Sequence, residues 1–288
     1  MAFDTLDRAI VGGVALGLLL AGAKHLSTVK TAAASSADGA RERDGVVTVI
    51  AQDHAFDAPD TVSAGVTTFH LVNRGPSLHH LWLVRLERGK TAADFMRVLQ
   101  SGPRMPRWAV ASGGPNAPAP GAQSTATLTL APGRYLIVCL VPGADHVAHA
   151  FRGMLRTLTV VAESAGPRAR FAGPDNVLTL HDDRFAIGRP PTAGAHRIAV
   201  RNAAAQPHEA QLFRLASTSA LADLVAWVRA DDGSPPPATP LGGAAALAPG
   251  RSLQIALTLE RGDYALVCRW PDAVDGRPHG MVARFAVR

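Results

Sequence analysis

The 288-residue chain holds two cysteines, and each closes an apolar run: Tyr135-Leu136-Ile137-Val138-Cys139 and Tyr264-Ala265-Leu266-Val267-Cys268. A loop carrying Pro142, Asp145, His146 and His149 follows Cys139 and leads to Gly153-Met154. Pro271, Asp275, His279 and Met281 follow Cys268, while His79 and His208 stand upstream. A soft thiolate, two imidazoles and a weak thioether form a donor set that favours copper. Each residue also has a plainer reading. Free cysteines commonly serve as small buried hydrophobes, and Met154 suits a core position equally well. His79 could end a strand. His149 could simply bond Asp145, or that carboxylate could orient a ligating ring. Five other histidines, His54, His70, His146, His181 and His196, read as surface or packing residues, and the four tryptophans as packing residues.

The elements that must position these groups follow from an internal repeat. Asn73 and Asn202, His79 and His208, Gly133-x-Tyr135 and Gly262-x-Tyr264, and Cys139 and Cys268 all recur at one constant offset along the chain. So do Phe56 and Phe185, Gly65 and Gly194, and Gly113-Gly114 and Gly242-Gly243. An ungapped match of this length points to a duplicated domain. Within each copy the apolar residues alternate, as in Thr68-Phe69-His70-Leu71-Val72 and Thr127-Leu128-Thr129-Leu130, which predicts strands. One interruption is helical, where Thr91-x-x-Asp94 reads as a capping box ahead of Phe95, Val98 and Leu99; copy two repeats it with Leu224, Trp227 and Val228. The expected fold is all-β, two tandem Greek-key β-sandwich domains, each with one inserted short helix. Equivalent cysteines in separate modules rarely pair, so a disulfide is not expected.

From Ala9 to Ala23 the chain is apolar, flanked by Arg8 and Lys24, which suits a signal peptide or an N-terminal anchor over residues 1–23. Residues 24–45 read as a tether, 46–162 as the first domain, 163–175 as a linker and 176–288 as the second domain. The net charge of +6 rests on arginines scattered through the sequence, with lysine only at Lys24, Lys30 and Lys90. No basic stripe interleaved with aromatics is visible, so nucleic acid is not an expected partner.

Gly-x-Tyr-x-x-x-Cys leading to His and Met, with Asn73 and His79 upstream, resembles the blue-copper, plastocyanin-like cupredoxin family; copy two adds Asn202 followed by Pro207-His208. The resemblance implies a type 1-like copper site. In copy one it assigns His79 and His149 as equatorial ligands, Cys139 as the thiolate and Met154 as the axial ligand. In copy two it offers His208, Cys268, His279 and Met281. The step of five from His149 to Met154 suits the family, whereas the step of two from His279 to Met281 predicts that Met281 falls short of the axial position. The Cys139-to-His149 step of ten is closer to copper nitrite reductases than to plastocyanin. The function implied is an exported, periplasmic or extracellular copper-binding protein for electron transfer or copper handling. Its partner would be a redox or copper-transfer protein, and it would touch a membrane only through an uncleaved N-terminus. A metal-free envelope sandwich with buried cysteines is the alternative. A two-domain copper oxidase or nitrite reductase would add His-x-His pairs and a histidine beside the cysteine. Val138 and Val267 stand there instead, no His-x-His occurs, and an enzyme is not expected.

Overall fold

The computed structural model describes residues 42–43, 45–102, 105–162, 171–217, 220–230, 234–271 and 280–288. The segment read as signal or anchor, most of the tether and His279 lie outside these residues. The described residues are all-β apart from two helices and one 3-10 turn. Its first half contains β1 Glu42–Arg43, β2 Val46–Gln52, β3 Ala55–Asp57, β4 Thr61–Ser63, β5 Gly65–Asn73, β6 Trp82–Leu86, helix α1 Ala92–Ser101, β7 Ala109–Gly113, β8 Gln123–Leu130, β9 Gly133–Val138 and β10 Leu155–Val161. The second contains β11 Asn176–Leu180, β12 Phe185–Ile187, β13 Gly194–Asn202, β14 His208–Leu215, helix α2 Ala220–Ala230, β15 Thr239–Leu247, β16 Ser252–Leu259, β17 Gly262–Cys268 and β18 Met281–Val287. The repeat offset reappears in the strand bounds, since β13 starts and ends at the equivalents of the β5 limits, and β16 at those of β8. The capping box forms as its sequence predicts: the Asp94 N–H donates to Thr91 Oγ1 and the Thr91 N–H returns a bond to Asp94 Oδ2.

Two nine-stranded sheets carry the molecule, and each draws strands from both halves. One runs β1-β2-β5-β8-β16-β13-β11-β12 with β3 also on β2; the other runs β18-β17-β14-β15-β7-β6-β9-β10-β4. The halves therefore meet edge to edge, antiparallel. Ala126 pairs with Ile255, flanked by Thr125 with Ala256 and Thr127 with Gln254. In the second sheet Pro115 bridges Ala244, flanked by Ser112 with Leu247 and Pro118 with Leu241. Each central pair joins equivalent positions of the two copies, so the junction has the self-complementary form of a two-fold dimer interface inside one chain. Within each half a glycine allows a close approach beside this seam: a Cβ on Gly114 or Gly243 would lie about 2 Å from a carbonyl oxygen, of Leu81 and of Ala210 respectively, and both have positive φ.

β9 shows how a continuous apolar run acquires two separate tasks. Successive side chains point to opposite faces. Tyr135, Ile137 and Cys139 enter the core between the sheets. Leu136 and Val138 enter a second core that spans both halves, with Trp82, Ala245, Ala246, Cys268 and Trp270. Covered on both faces, the strand reads as unbroken hydrophobicity rather than alternation. Its start is pinned by Tyr135, whose hydroxyl donates to the Ala131 carbonyl at 3.0 Å; Tyr264 does the same to Glu260 at 2.9 Å.

Candidate metal centre

The chain delivers His79, Cys139 and His149 to one point from three places. Cys139 follows directly on β9. His79 leads into β6 at the end of a loop that Asn73 holds in shape: its Oδ1 accepts from the Gly75 N–H at 3.0 Å, and its Nδ2 donates to the carbonyls of Ser77 at 2.8 Å and Pro118 at 3.2 Å. His149 opens a 3-10 turn, His149–Arg152. Backbone bonds fold this segment back onto the strand end, from Ala150 N to Cys139 O at 2.8 Å and from His149 N to Val141 O at 3.0 Å.

The three donors converge. Cys139 Sγ lies 3.6 Å from His149 Nδ1 and 3.9 Å from His79 Nδ1, and the two Nδ1 atoms are 3.1 Å apart. Such separations suit a common centre with bonds of about 2 Å. Among the described residues this is the one such group of three His, Cys, Asp or Glu side chains. All three are sealed, at 0%, 0% and 2% exposure for His79, Cys139 and His149. Asp53 accepts from His79 Nε2 at 2.8 Å, which puts the ring proton on Nε2 and aims the Nδ1 lone pair at the centre. Met154 lies opposite Cys139 on the neighbouring chain segment, with the Cys139 N–H donating to its carbonyl at 3.1 Å, and its side chain is fully buried.

Burial governs the charge states. It holds the His79 pKa below the ordinary imidazole value, with Asp53 pulling the other way. Burial, together with His79 and His54, lowers His149 to about 4. Burial pushes the Cys139 thiol up to about 12. At neutral pH the metal-free centre thus holds two neutral imidazoles and a protonated thiol, and a metal must displace one proton to bind the sulfur. Two imidazole nitrogens and one thiolate are donors that suit copper.

In copy two the described residues bring two of the candidate donors together. Cys268 Sγ lies 3.5 Å from His208 Nδ1, both buried. Burial raises the Cys268 thiol, and the neighbouring Glu209 adds to the shift. Met281 pairs directly with Cys268, as Met154 faces Cys139, so the shortened step from His279 does not displace it from the cysteine. Asp182 approaches His208 Nε2 at 3.5 Å, longer than the 2.8 Å of Asp53 to His79. The cause is visible at the equivalent of Gly75, which is Ala204. A Cβ on Gly75 would stand 2.6 Å from Asp53 Oδ1 and 2.7 Å from His79 Nε2, so the close aspartate–histidine contact leaves no room for a side chain.

Three features correct or extend the reading of the sequence. Asp145 does not orient His149; it pairs with Arg152 and accepts from the Val147 N–H at 3.3 Å. The orienting carboxylates are Asp53 and Asp182, and their recurrence at the same offset as the histidines was the available signal. His54 is no bystander, since its ring meets His149 edge-on with centroids 5.1 Å apart. His80, which is buried, and Glu209, which is partly buried, stand one repeat apart and play one part: His80 Nε2 accepts from the N–H of Leu140 at 2.9 Å, and Glu209 Oε1 from that of Arg269 at 3.1 Å. Both cysteines are free thiols, as the repeat implied.

No protein-family model matches the chain, and no curated protein matches it. Solved structures similar to it include reduced auracyanin from Roseiflexus castenholzii, at 22% identity over 42% of this chain and 99% of that one, with a TM-score of 0.30. Auracyanin A from Chloroflexus aurantiacus is 24% identical over 41% of this chain and 100% of that one, with a TM-score of 0.29. The blue copper oxidase of Nitrosomonas europaea is 16% identical over 83% of this chain and 85% of that one, with a TM-score of 0.25. With each of these identities below 25% and each TM-score below 0.5, the chemistry of the centre has to be judged from its geometry.

Proposed function

We propose that this chain is a copper-binding protein of cupredoxin type, built from two tandem copies of one module, whose first copy holds copper through His79, Cys139 and His149 beside Met154. The convergence of two Nδ1 atoms and one Sγ within 3.9 Å of one another carries this reading. Asp53 supports it by presenting the His79 lone pair inward before any metal arrives. Copper bound there supplies a one-electron couple. The residues hold the donors in place from strand ends and short bonded turns, a rigidity that favours electron transfer with little rearrangement. Export to the cell envelope, with a redox or copper-transfer protein as partner, completes the proposal. Copper in copy two would need His279 to join His208 and Cys268. Burial of Cys268 in the core shared by the halves favours a packing role for that thiol.

Cu(II) added to the purified metal-free chain should produce an intense visible thiolate-to-copper band that Cys139→Ser abolishes and Cys268→Ser leaves in place. A colourless protein with no tight copper uptake would refute the proposal and leave a metal-free sandwich.

A further inference from the structure

The turn between β2 and β3 consists of Asp53 and His54, and both reach the centre. Asp53 binds His79 from behind. His54 covers the other imidazole, its ring lying 5.1 Å from that of His149 at an interplanar angle of 76°. His54 also adopts φ 64, a left-handed conformation that side chains other than glycine rarely take. Such a conformation persists only where the surroundings impose it, and it clusters at functional sites. The carbonyl of His54 sits above Gly153, 3.9 Å from where a Cβ would be, so the turn is seated on the loop that carries His149.

Exposure separates His54 from the triad. His79, Cys139 and His149 are closed to solvent, whereas His54 is half-buried, one part against His149 and one part in water. Of the three imidazoles gathered here, His54 is the one that keeps contact with solvent. Copy two has Asp183 at the equivalent position, which turns to Arg184 at 3.0 Å. The outer imidazole thus belongs to the copy whose triad lies within the described residues.

We propose that His54 is a capture ligand for copper: an outer imidazole, beside His149, that takes the ion from solvent and passes it inward. This inference rests on the copper reading of the triad. In the inward step the bond from copper to the His54 imidazole breaks and a bond to Cys139 Sγ forms. The thiol S–H bond breaks with it, its proton goes to water, and the oxidation state of the metal does not change.

Stopped-flow mixing of the metal-free full chain with Cu(II) sulfate tests this through the growth of the visible thiolate band. His54→Asn is the variant to use, because asparagine tolerates the left-handed conformation and the turn keeps its shape. Uptake should slow by about tenfold, with the final band unchanged, and millimolar imidazole should restore part of the rate. His146→Ala, which changes another loop histidine of positive φ that is exposed, should load at the wild-type rate. An unchanged rate in His54→Asn would overturn the proposal, and a faster one would make His54 a cover that only obstructs. Loss of the final band would make it a structural part of the centre. A wild-type chain that develops no band would fail the copper reading itself, which separates the two failures.

Discussion

Asp53 and Gly75 together set the state of His79: the carboxylate fixes the tautomer, and the missing side chain at position 75 lets it come close. Gly75→Ala should therefore reproduce the looser contact of copy two, where Ala204 accompanies a separation of 3.5 Å. Copper affinity, measured by competition with a chelator of known strength, should fall by about 10–100-fold, as partners of ligating histidines generally demand. Equal affinity would show that the contact is incidental. A pH dependence follows from His80, which burial, then the neighbouring His149 and His79, hold at about 3. The folded value lies below the unfolded value of about 6.5, so the unfolded chain binds more protons between them. Stability is complete above about pH 6.5 and is lost as pH falls toward the folded value. Glu209 acts in the opposite sense, since burial raises its pKa and its contribution is lost as pH rises. Comparing the metal-free chain with His80→Gln isolates the histidine. Between about pH 6.5 and 4.5 the wild type should lose about 5 °C more in Tm than the variant, and parallel curves would contradict the assignment.

The elements that aim the donors are two strand ends and one clamped loop in each copy. Asn73 satisfies three backbone groups of its loop and of the segment before β8, and Asn202 repeats the arrangement with Ala204, Gln206 and Leu247. Removing either side chain leaves buried polar groups unpaired, so Asn73→Ala and Asn202→Ala should each cost about 1–3 kcal/mol in urea unfolding. Their effects on copper should diverge. Asn73→Ala loosens the loop that presents His79 and should weaken the visible band, while Asn202→Ala should leave it intact. Matching losses of colour in both variants would place copper in both copies. Much at this scale was legible in advance. The alternation along β5 and β8, the capping box of α1 and the Gly-x-Tyr approach to each cysteine are local patterns, decided by neighbours a few residues away. The partner of Asp145 was not legible, because two candidates, His149 and Arg152, both lie within one loop turn, and only the folded loop selects Arg152.

Across the whole molecule the halves act as two sides of one pseudo-symmetric body. Trp82 of the first half donates to the Ala246 carbonyl at 3.0 Å and meets Trp270 of the second at 5.0 Å. Beside them, Asn116 of the first half donates to Glu209 of the second at 3.2 Å, and Glu209 in turn accepts from the N–H of Arg269, the residue after Cys268. Trp82→Ala should lower unfolding stability by about 3–5 kcal/mol, the usual cost of deleting a buried aromatic. Residues 46–162 expressed alone would expose the β7 and β8 edges and the Trp82 face. That fragment should self-associate in size-exclusion chromatography, and a stable monomer would argue for independent halves. The all-β class, the repeat and the His, Cys and Met candidates could be read from the chain, because a strand's period and a constant spacing survive without coordinates. Tertiary structure alone decided that Asp53 and His54 belong to the centre, that the sheets continue through both halves, and that Met281 faces its cysteine. Those facts depend on how turns and edges bring together residues far apart in the chain, and close packing, as at Gly75 and Ala204, settles them by tenths of an ångström that no spacing records.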